Sequence, residues 1–355
     1  MTKTVCIITE PSYGSSMWGK VMAESLKAQL KQKRIPFEEN PGEISTDTEC
    51  VFLIASDEVW IKNNIRLITG AGFKTVLLCS RRTEIPGYVY SSVYSDISGS
   101  LKHMISKYFI PGKTRAALYA VNQSSASDAG KLNALRCCTG EFFDSFTTIL
   151  NVGALEKCFE EFKPAAHKTD LCIAFNDFAA ISLVRNIKKS CPEILGKLKI
   201  ISFAQTQLSS FYREYFESID TNYESFGKTA VYIYEKIKKH PYMTGISIGV
   251  GTYPESQEKS AAKAVCPDGT TGSASFYSDS ELHSLLAAEC FLNTSNETDK
   301  EIFRMLCQGF TLEQTAEKCF LTESGVKYRI KRLASLCKVN GRDELCGILM
   351  RYDIF

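Results

Sequence analysis

Along the first 250 residues, short unbroken apolar runs alternate with segments whose apolar positions recur every three or four residues. VCIIT, within residues 4–9, precedes SMWGKVMAESLKAQLKQK, where Met17, Met22, Leu26 and Leu30 share one helical face. CVFLIAS (50–56) precedes WIKNNIRLITGAG, and TVLLCS (75–80) follows it. RAALYAV, FTTILNV, DLCIAF and LKIISF continue the series, most of them leading into another helical segment. Unbroken apolar runs of this length are what strands covered on both faces look like, and strand–helix alternation builds parallel sheets. Some 250 residues of it exceed one compact core, so two α/β sheet domains are expected.

Residues 256–297 break the pattern. SQEKSAAKAVCPDGTTGSASFYSDS is rich in Ser, Gly, Ala and Lys and holds a Pro-Asp-Gly turn signal, so 256–296 reads as a linker. One helix, SELHSLLAAECF, falls within it and packs either on its own domain or on a partner subunit.

From 297 onward every signal is helical. Thr298 with Glu301, and Thr311 with Gln314, have capping-box spacing. The first box opens a helix burying Ile302, Phe303 and Leu306 and closed by Gly309. The second opens a helix with Leu312, Ala316 and Cys319 on one face. A tight turn through Phe320 and Leu321 leads to Thr322, the N-cap of a third helix burying Val326, Ile330, Leu333 and Cys337. Asn340 is placed to cap a fourth, with Leu345, Ile348 and Leu349 inward. Two short helices, a tight turn and a longer third helix make a helix-turn-helix, and the small Ala316 allows its core helices to approach closely. Lys327, Arg329, Lys331, Arg332 and Lys338 follow one another with no acid among them, on the helix that this geometry places in a major groove.

Composition narrows the picture. Hydrophobic residues make up 44% of the 355 and charged residues 23%, as in a soluble globular protein. Net charge is +2, so a nucleic-acid role must rest on a local patch. The 14 cysteines are scattered through apolar runs without a CxxC pair, and the four histidines form no zinc-ligand spacing. There is no cleavable apolar leader and no apolar stretch of about 18 residues. These features give the expectation of a cytoplasmic protein with reduced thiols, without membrane association, metal or cofactor. Enzyme signatures are missing. GKT at 112–114 has Lys107 where a phosphate-binding loop needs Gly, and neither GxGxxG after a strand nor GxSxG occurs. Glu160 and Glu161 read as a solvated helical surface.

Residues 297–352 resemble the C-terminal DNA-binding domain of LuxR (GerE-like) transcription factors. The matching pieces are Asp299-Lys-Glu-Ile-Phe, Gly309, Thr315-Ala-Glu-Lys, Leu321-Thr-Glu-Ser-Gly-Val-Lys, and Val339 followed by Arg342. Gly325 stands where that family usually has Thr, and Asp299 and Leu312 replace a Glu and a polar residue. The resemblance implies that Thr322, Ser324, Lys327, Tyr328, Lys331 and Arg332 face double-stranded DNA.

Residues 3–255 resemble the ligand-binding core of LacI/GalR repressors and of type I periplasmic sugar-binding proteins. The order of the pieces carries this: TEPSYGSSMWGKVMAESLKAQL, VYSDISGSLKHMISKYFIPGKTRAALYAV, DLCIAFNDFAAISLVRNIKK, LKIISFAQTQLSSF and SIDTNYESFGKTAVYIYEKI. The implied fold is two-lobed, with lobe 1 at about 3–96 and 225–242 and lobe 2 at about 97–222 and 243–255. Ligands of such folds bind at the carboxyl ends of the strands, between the lobes. The residues placed there are Ser12, Tyr13, Ser15, Met17, Trp18, Ser56, Asp57, Ser80, Arg81, Asn176, Asp177, Gln205 and Thr206. Tyr13 and Trp18 can stack on a sugar or pack in the hinge; Asn176-Asp177 can bind ligand, cap a helix, or both. Two positions depart from the family: Ala204 replaces its acid, and Lys131 stands near its expected arginine. Those repressors also carry their DNA-reading helices ahead of the core.

The whole reads as a sensor domain over 1–255, a linker over 256–296 and a helix-turn-helix domain over 297–355. The expected function is a homodimeric, non-enzymatic transcription regulator whose small-molecule effector is a sugar or related metabolite. The alternatives are a solute-binding protein without a DNA role, and a sensor whose C-terminal helices bind a protein.

Overall fold

The computed structural model describes residues 4–14, 16–123, 125–251 and 279–355. The chain enters a first sheet through β1 (Thr4–Thr9), the short helix α1 (Pro11–Gly14), α2 (Met17–Gln32), β2 (Phe37–Glu39), β3 (Thr48–Ile54), α3 (Glu58–Gly70), β4 (Thr75–Cys79) and β5 (Ser91–Ser95). It then builds a second sheet: α4 (Ser98–Tyr108), β6 (Ala116–Val121), α5 (Ala126–Thr139), β7 (Thr147–Leu150), α6 (Leu155–Ala166), β8 (Leu171–Ala174), α7 (Asp177–Ser190), β9 (Lys199–Phe203) and β10 (Glu217–Ile219). Helix α8 (Phe226–Lys239) and β11 (Ser247–Val250) return to the first.

Both sheets are parallel throughout, in the orders β11-β5-β4-β3-β1-β2 and β10-β9-β8-β6-β7. The apolar runs explain this. Val51, Phe52, Leu53 and Ile54 are all fully buried because helices cover both faces of β3. Phe52 and Ile54 meet Met22, Leu26 and Phe226 of α2 and α8, while Val51 and Leu53 meet Ile61 and Ile65 of α3. The second sheet is sandwiched likewise, by α4 and α5 on one face and α6 and α7 on the other.

The lobe boundary differs from the sequence expectation at one place. The resemblance places residues 243–255 in the second lobe, but β11 pairs with β5 in the first sheet, with Ser247 opposite Ser92 and Val250 opposite Ser95. SIGV has too few apolar positions to show which edge it joins. The turn after α8, with Gly245 at φ +69°, directs the strand back to the open edge beside β5.

Among the described residues five further helices follow: α9 (Ser280–Thr294), α10 (Glu297–Cys307), α11 (Leu312–Lys318), α12 (Glu323–Leu336) and α13 (Arg342–Arg351). The Thr311–Gln314 capping box is present: Gln314 N donates to Thr311 Oγ1 at 3.2 Å, and Thr311 N to Gln314 Oε1 at 3.0 Å. The other box is displaced. Asn296, not Thr298, caps α10, accepting from Asp299 N at 2.9 Å while Asp299 Oδ2 accepts from Asn296 N at 3.2 Å. The earlier start places Asp299 at the third helical position, where its carboxylate is fully buried. Asn340 does not cap α13 through its side chain; the N-cap position falls to Gly341 at φ +118°, which makes no side-chain cap, and Asn340 N donates to Glu344 Oε2 at 2.6 Å.

The part of the linker reading that falls on 256–278 lies outside the described residues. Its helix, α9, is a core element. Leu282, Leu285 and every residue from Ala287 to Leu292 are buried, and α9 packs on α7 of the second lobe and on α12 and α13. One apolar cluster therefore runs from Tyr119, Phe162 and Ile181 through Phe291 to Val326, Leu333 and Leu349.

In the first lobe α2 and α8 touch at Gly227. A Cβ there would lie 2.2 Å from Ser25 C, 2.3 Å from Ser25 O and 2.4 Å from Leu26 N, so backbone must move to admit it. Gly227→Ala is expected to lower stability by about 3 kcal/mol, the upper range for overpacking, measured by urea denaturation.

Candidate functional site

The carboxyl ends of the two sheets face each other across a cleft, and their polar side chains hold one another in defined ways. On the first lobe the organising group is Glu10, directly after β1. It is only 4% exposed; its Oε2 accepts from Ser56 N at 2.8 Å and Asp57 N at 2.9 Å, and its Oε1 accepts from the Ser12 hydroxyl. One carboxylate thus ties the β1 end to the loop before α3. Asp57 caps α3, accepting from Trp60 N at 2.7 Å. Ser16 caps α2, accepting from Gly19 N at 3.0 Å. Tyr13 packs on the first lobe's core, its hydroxyl 3.9 Å from Met22 Sδ.

Other side chains cross the cleft. Met17 is buried in the second lobe's apolar cluster. Trp18 packs against both lobes, its ring 5.9 Å from that of Tyr223. Tyr223 lies in the segment returning from β10 to α8; burial pushes its phenol up, while a hydrogen bond with the Ser127 side chain opposes the shift. Arg81 binds Glu58 at 2.7 Å, and its Cβ would stand 3.4 Å from any Cβ at Gly130 of α5. Lys62 first, and then Arg81, hold the Glu58 carboxyl below its usual range. The Ser80 hydroxyl is enclosed, without a hydrogen-bond partner among the described residues.

On the second lobe Asn176 caps α7, accepting from Ala179 N at 2.8 Å. Asp177 is fully buried and joins three strand ends: Oδ1 accepts from Ser202 Oγ at 2.6 Å and Ser218 Oγ at 2.5 Å, and Oδ2 accepts from Thr206 N at 2.7 Å and Thr206 Oγ1 at 3.0 Å. Lys131 is buried, donating to Asp128 Oδ1 at 3.0 Å and to the Phe175 carbonyl at 2.7 Å. Its ammonium stands 5.3 Å from the Phe203 ring centre. Gln205 is exposed, its backbone at φ +50°.

The structure therefore sorts the residues selected from sequence. Ser12, Tyr13, Trp18, Ser56, Asp57, Ser80, Arg81, Asn176 and Gln205 keep accessible surface at the strand ends. Met17, Asp177 and Thr206 are buried, and the last two bond each other. Ser15 lies outside the described residues. Sequence reading missed Glu10, Asp128 and Tyr223. Glu10 carried a usable signal, an acid directly following the first apolar run; the other two become visible only when the sheets face each other.

The second candidate surface is α12. Thr322 caps it, accepting from Gly325 N at 3.1 Å, and its Oγ1 lies 3.0 Å from Ser324 Oγ. Lys327 and Lys331 are exposed one turn apart, and Tyr328 is 69% exposed between them. Lys327 meets Glu323 at 2.9 Å; Lys331 forms no ion pair among the described residues. Both lysines line a surface groove of about 500 Å³ with Leu312, Ile330, Val339 and Arg342. The resemblance puts Arg332 among the DNA-facing residues, but its guanidinium turns inward to Asp299 Oδ2 at 2.6 Å, as Arg329 does to Oδ1 at 2.8 Å. The buried carboxylate of α10 requires a cation, and α12 supplies two.

No protein-family model matches the chain, and no curated protein matches it. Solved structures do. GanP, a glucose-galactose binding protein from Geobacillus stearothermophilus, is similar at 12% identity and TM-score 0.54, over 70% of this chain and 96% of that one. A LacI family transcriptional regulator from Enterococcus faecium with bound ribose is similar at 13% identity and TM-score 0.51, over 70% and 95%. The Lac repressor bound to ONPG is similar at 13% and 0.53, over 70% and 79%. At such identities the likeness shows the fold: a two-lobed core of the LacI and type I periplasmic-binding-protein kind.

Burial raises the Asp177 carboxyl, against the hydrogen bonds from Ser202, Ser218 and Thr206. A carboxyl raised in the folded state contributes stability below its unfolded pKa and loses it as pH rises through the folded value. Asp177→Asn lacks that titration. The stability advantage of wild type over the variant should therefore shrink as pH rises from below the ordinary carboxylate range to neutrality, measured by urea denaturation across pH.

Proposed function

We propose that the protein is a ligand-responsive, DNA-binding transcription regulator that works as a homodimer, its sensor core taking a sugar or related metabolite and its C-terminal helices reading double-stranded DNA. The observation that carries the DNA reading is the division of α12 into two faces. Val326, Ile330 and Leu333 are buried, Arg329 and Arg332 are held by Asp299, and Lys327, Tyr328 and Lys331 are left facing outward. Helix α11 packs across α12 through a tight turn in which Phe320 stands at φ +55°, the geometry of a helix-turn-helix. On this reading Lys327 and Lys331 contact phosphates or guanine edges, and Thr322 and Ser324 lie at the helix end nearest the bases. Two such modules are needed, because one buries too little surface for tight specific binding.

The sugar reading is supported by the fold and by the accessible hydroxyl, amide and aromatic groups of Ser12, Tyr13, Trp18, Asn176 and Gln205 at the strand ends. GanP and the Enterococcus faecium regulator are sugar-binding proteins by their own descriptions. No cofactor or metal is invoked, and no reaction is assigned. Among the described residues no helix is long and apolar enough to cross a membrane.

Fluorescence anisotropy with genomic DNA fragments at two salt concentrations tests the DNA reading. Lys327→Ala with Lys331→Ala should weaken binding and reduce the slope of log K against log salt by about 1.8, two phosphate contacts at about 0.9 each. Unchanged affinity and slope would refute it. The same titration with ribose, glucose or galactose present should shift the DNA affinity of wild type if the cleft is a sugar sensor.

A further inference from the structure

The turn after β9 faces the cleft in a backbone conformation that needs support. Ala204 has φ +119° and Gln205 φ +50°, both in the left-handed region that favours glycine. Support comes from two carboxylates on opposite sides. From within the second lobe, Asp177 holds the amide and hydroxyl of Thr206. From α9, Glu289 holds the next two amides: Oε1 accepts from Gln207 N at 2.9 Å and Oε2 from Leu208 N at 2.7 Å. Asn293 Nδ2 donates to Glu289 Oε1 at 2.9 Å. Glu289 is 3% exposed, and burial raises its carboxyl.

The neighbours of Glu289 along α9 belong to the C-terminal helices. Phe291 packs its ring 5.1 Å from Phe303 of α10 and 6.0 Å from Phe355, and Cys290 Sγ lies 3.3 Å from the Leu336 carbonyl of α12. The first turn of α9 is fastened to the second lobe, with Leu155 N donating to Asp279 Oδ2 at 2.9 Å and Ser182 Oγ to Glu281 Oε2 at 2.8 Å. A single helix thus grips the cleft-facing turn with one residue and packs α10 and α12 with the two that follow.

We propose that Glu289 is a positioning residue that couples the 204–208 turn of the cleft to the C-terminal helices. A change at Gln205 or Thr206 then reaches α12 through α9. This deepens the reading of the cleft as a sensor and names how its state is passed on.

The test needs neither ligand nor DNA, so it stands apart from the failure of either reading. Thr206→Val loosens the turn from within the second lobe, losing the hydroxyl's bonds to Asp177 and from Ser209 N. Amide hydrogen exchange in α10–α13 is compared in wild type, Thr206→Val, Glu289→Gln and the double variant. Thr206→Val should speed exchange in α12 and α13 at least about tenfold in wild type, since it removes the hydroxyl's bond to Asp177 and the acceptor of Ser209 N. In the Glu289→Gln background it should add nothing. A merely structural Glu289 gives the same increment in both backgrounds, and that result, or no effect of Thr206→Val on α12, overturns the proposal. If Glu289→Gln does not fold, Gln207→Pro replaces it. Gln207 has φ −61°, which proline adopts, and the substitution removes the amide that Glu289 Oε1 holds.

Discussion

Helix α7 has no polar face along its first two turns, and the architecture of the second half of the molecule follows from that. Every residue from Asp177 to Val184 is buried. A helix apolar all round must be covered all round. The second sheet covers one side, through β8 and β9; α9 and the last residues of the chain cover the other. Arg185 sits at the rim, its guanidinium over the Tyr352 ring at 4.8 Å and donating to the Arg351 carbonyl. The C-terminal helices are therefore packed into the second lobe's core, where a tethered domain would have left α7 exposed.

Four buried carboxylates fix the junctions of this arrangement. Glu10 ties the β1 end to the start of α3, Asp177 gathers β9 and β10 around the start of α7, Glu289 links α9 to the cleft turn, and Asp299 draws α12 onto α10. Each is satisfied by amides, hydroxyls or guanidiniums, and removing those partners would leave a charge in a poorly solvated place. Such groups constrain geometry more than they add stability. They lie where the chain passes from one element or unit to the next.

Much of the fold was legible because parallel strands covered on both faces leave unbroken apolar runs, as in CVFLIAS and DLCIAF. The Thr311–Gln314 box and the Phe320–Leu321 turn were legible because capping and turn chemistry are local. What escaped depends on residues distant in the chain. SIGV did not reveal which sheet edge it joins. Asp177 has the look of a binding residue, an acid after a strand, until Ser202 and Ser218 arrive from other strands to enclose it. Arg332 counts toward a basic stripe in sequence, yet Asp299, 33 positions earlier, turns it inward. The helix read inside a linker was hardest of all, since the polar residues around it hid how fully α9 is buried.

The central claim is that the C-terminal helices and the second lobe form one body. Electron–electron spin distances test it, with labels introduced as unnatural amino acids because the chain holds 14 cysteines. One pair joins Tyr328 on α12 to Lys199 on the second sheet, and the other joins Tyr328 to Leu67 on α3 of the first lobe; all three positions are exposed. A single narrow distribution for Tyr328–Lys199, retained whether or not the Tyr328–Leu67 distance varies with conditions, is the predicted result. A broad or multiple distribution for Tyr328–Lys199 would show that the C-terminal helices move independently of the second lobe, and would contradict the account.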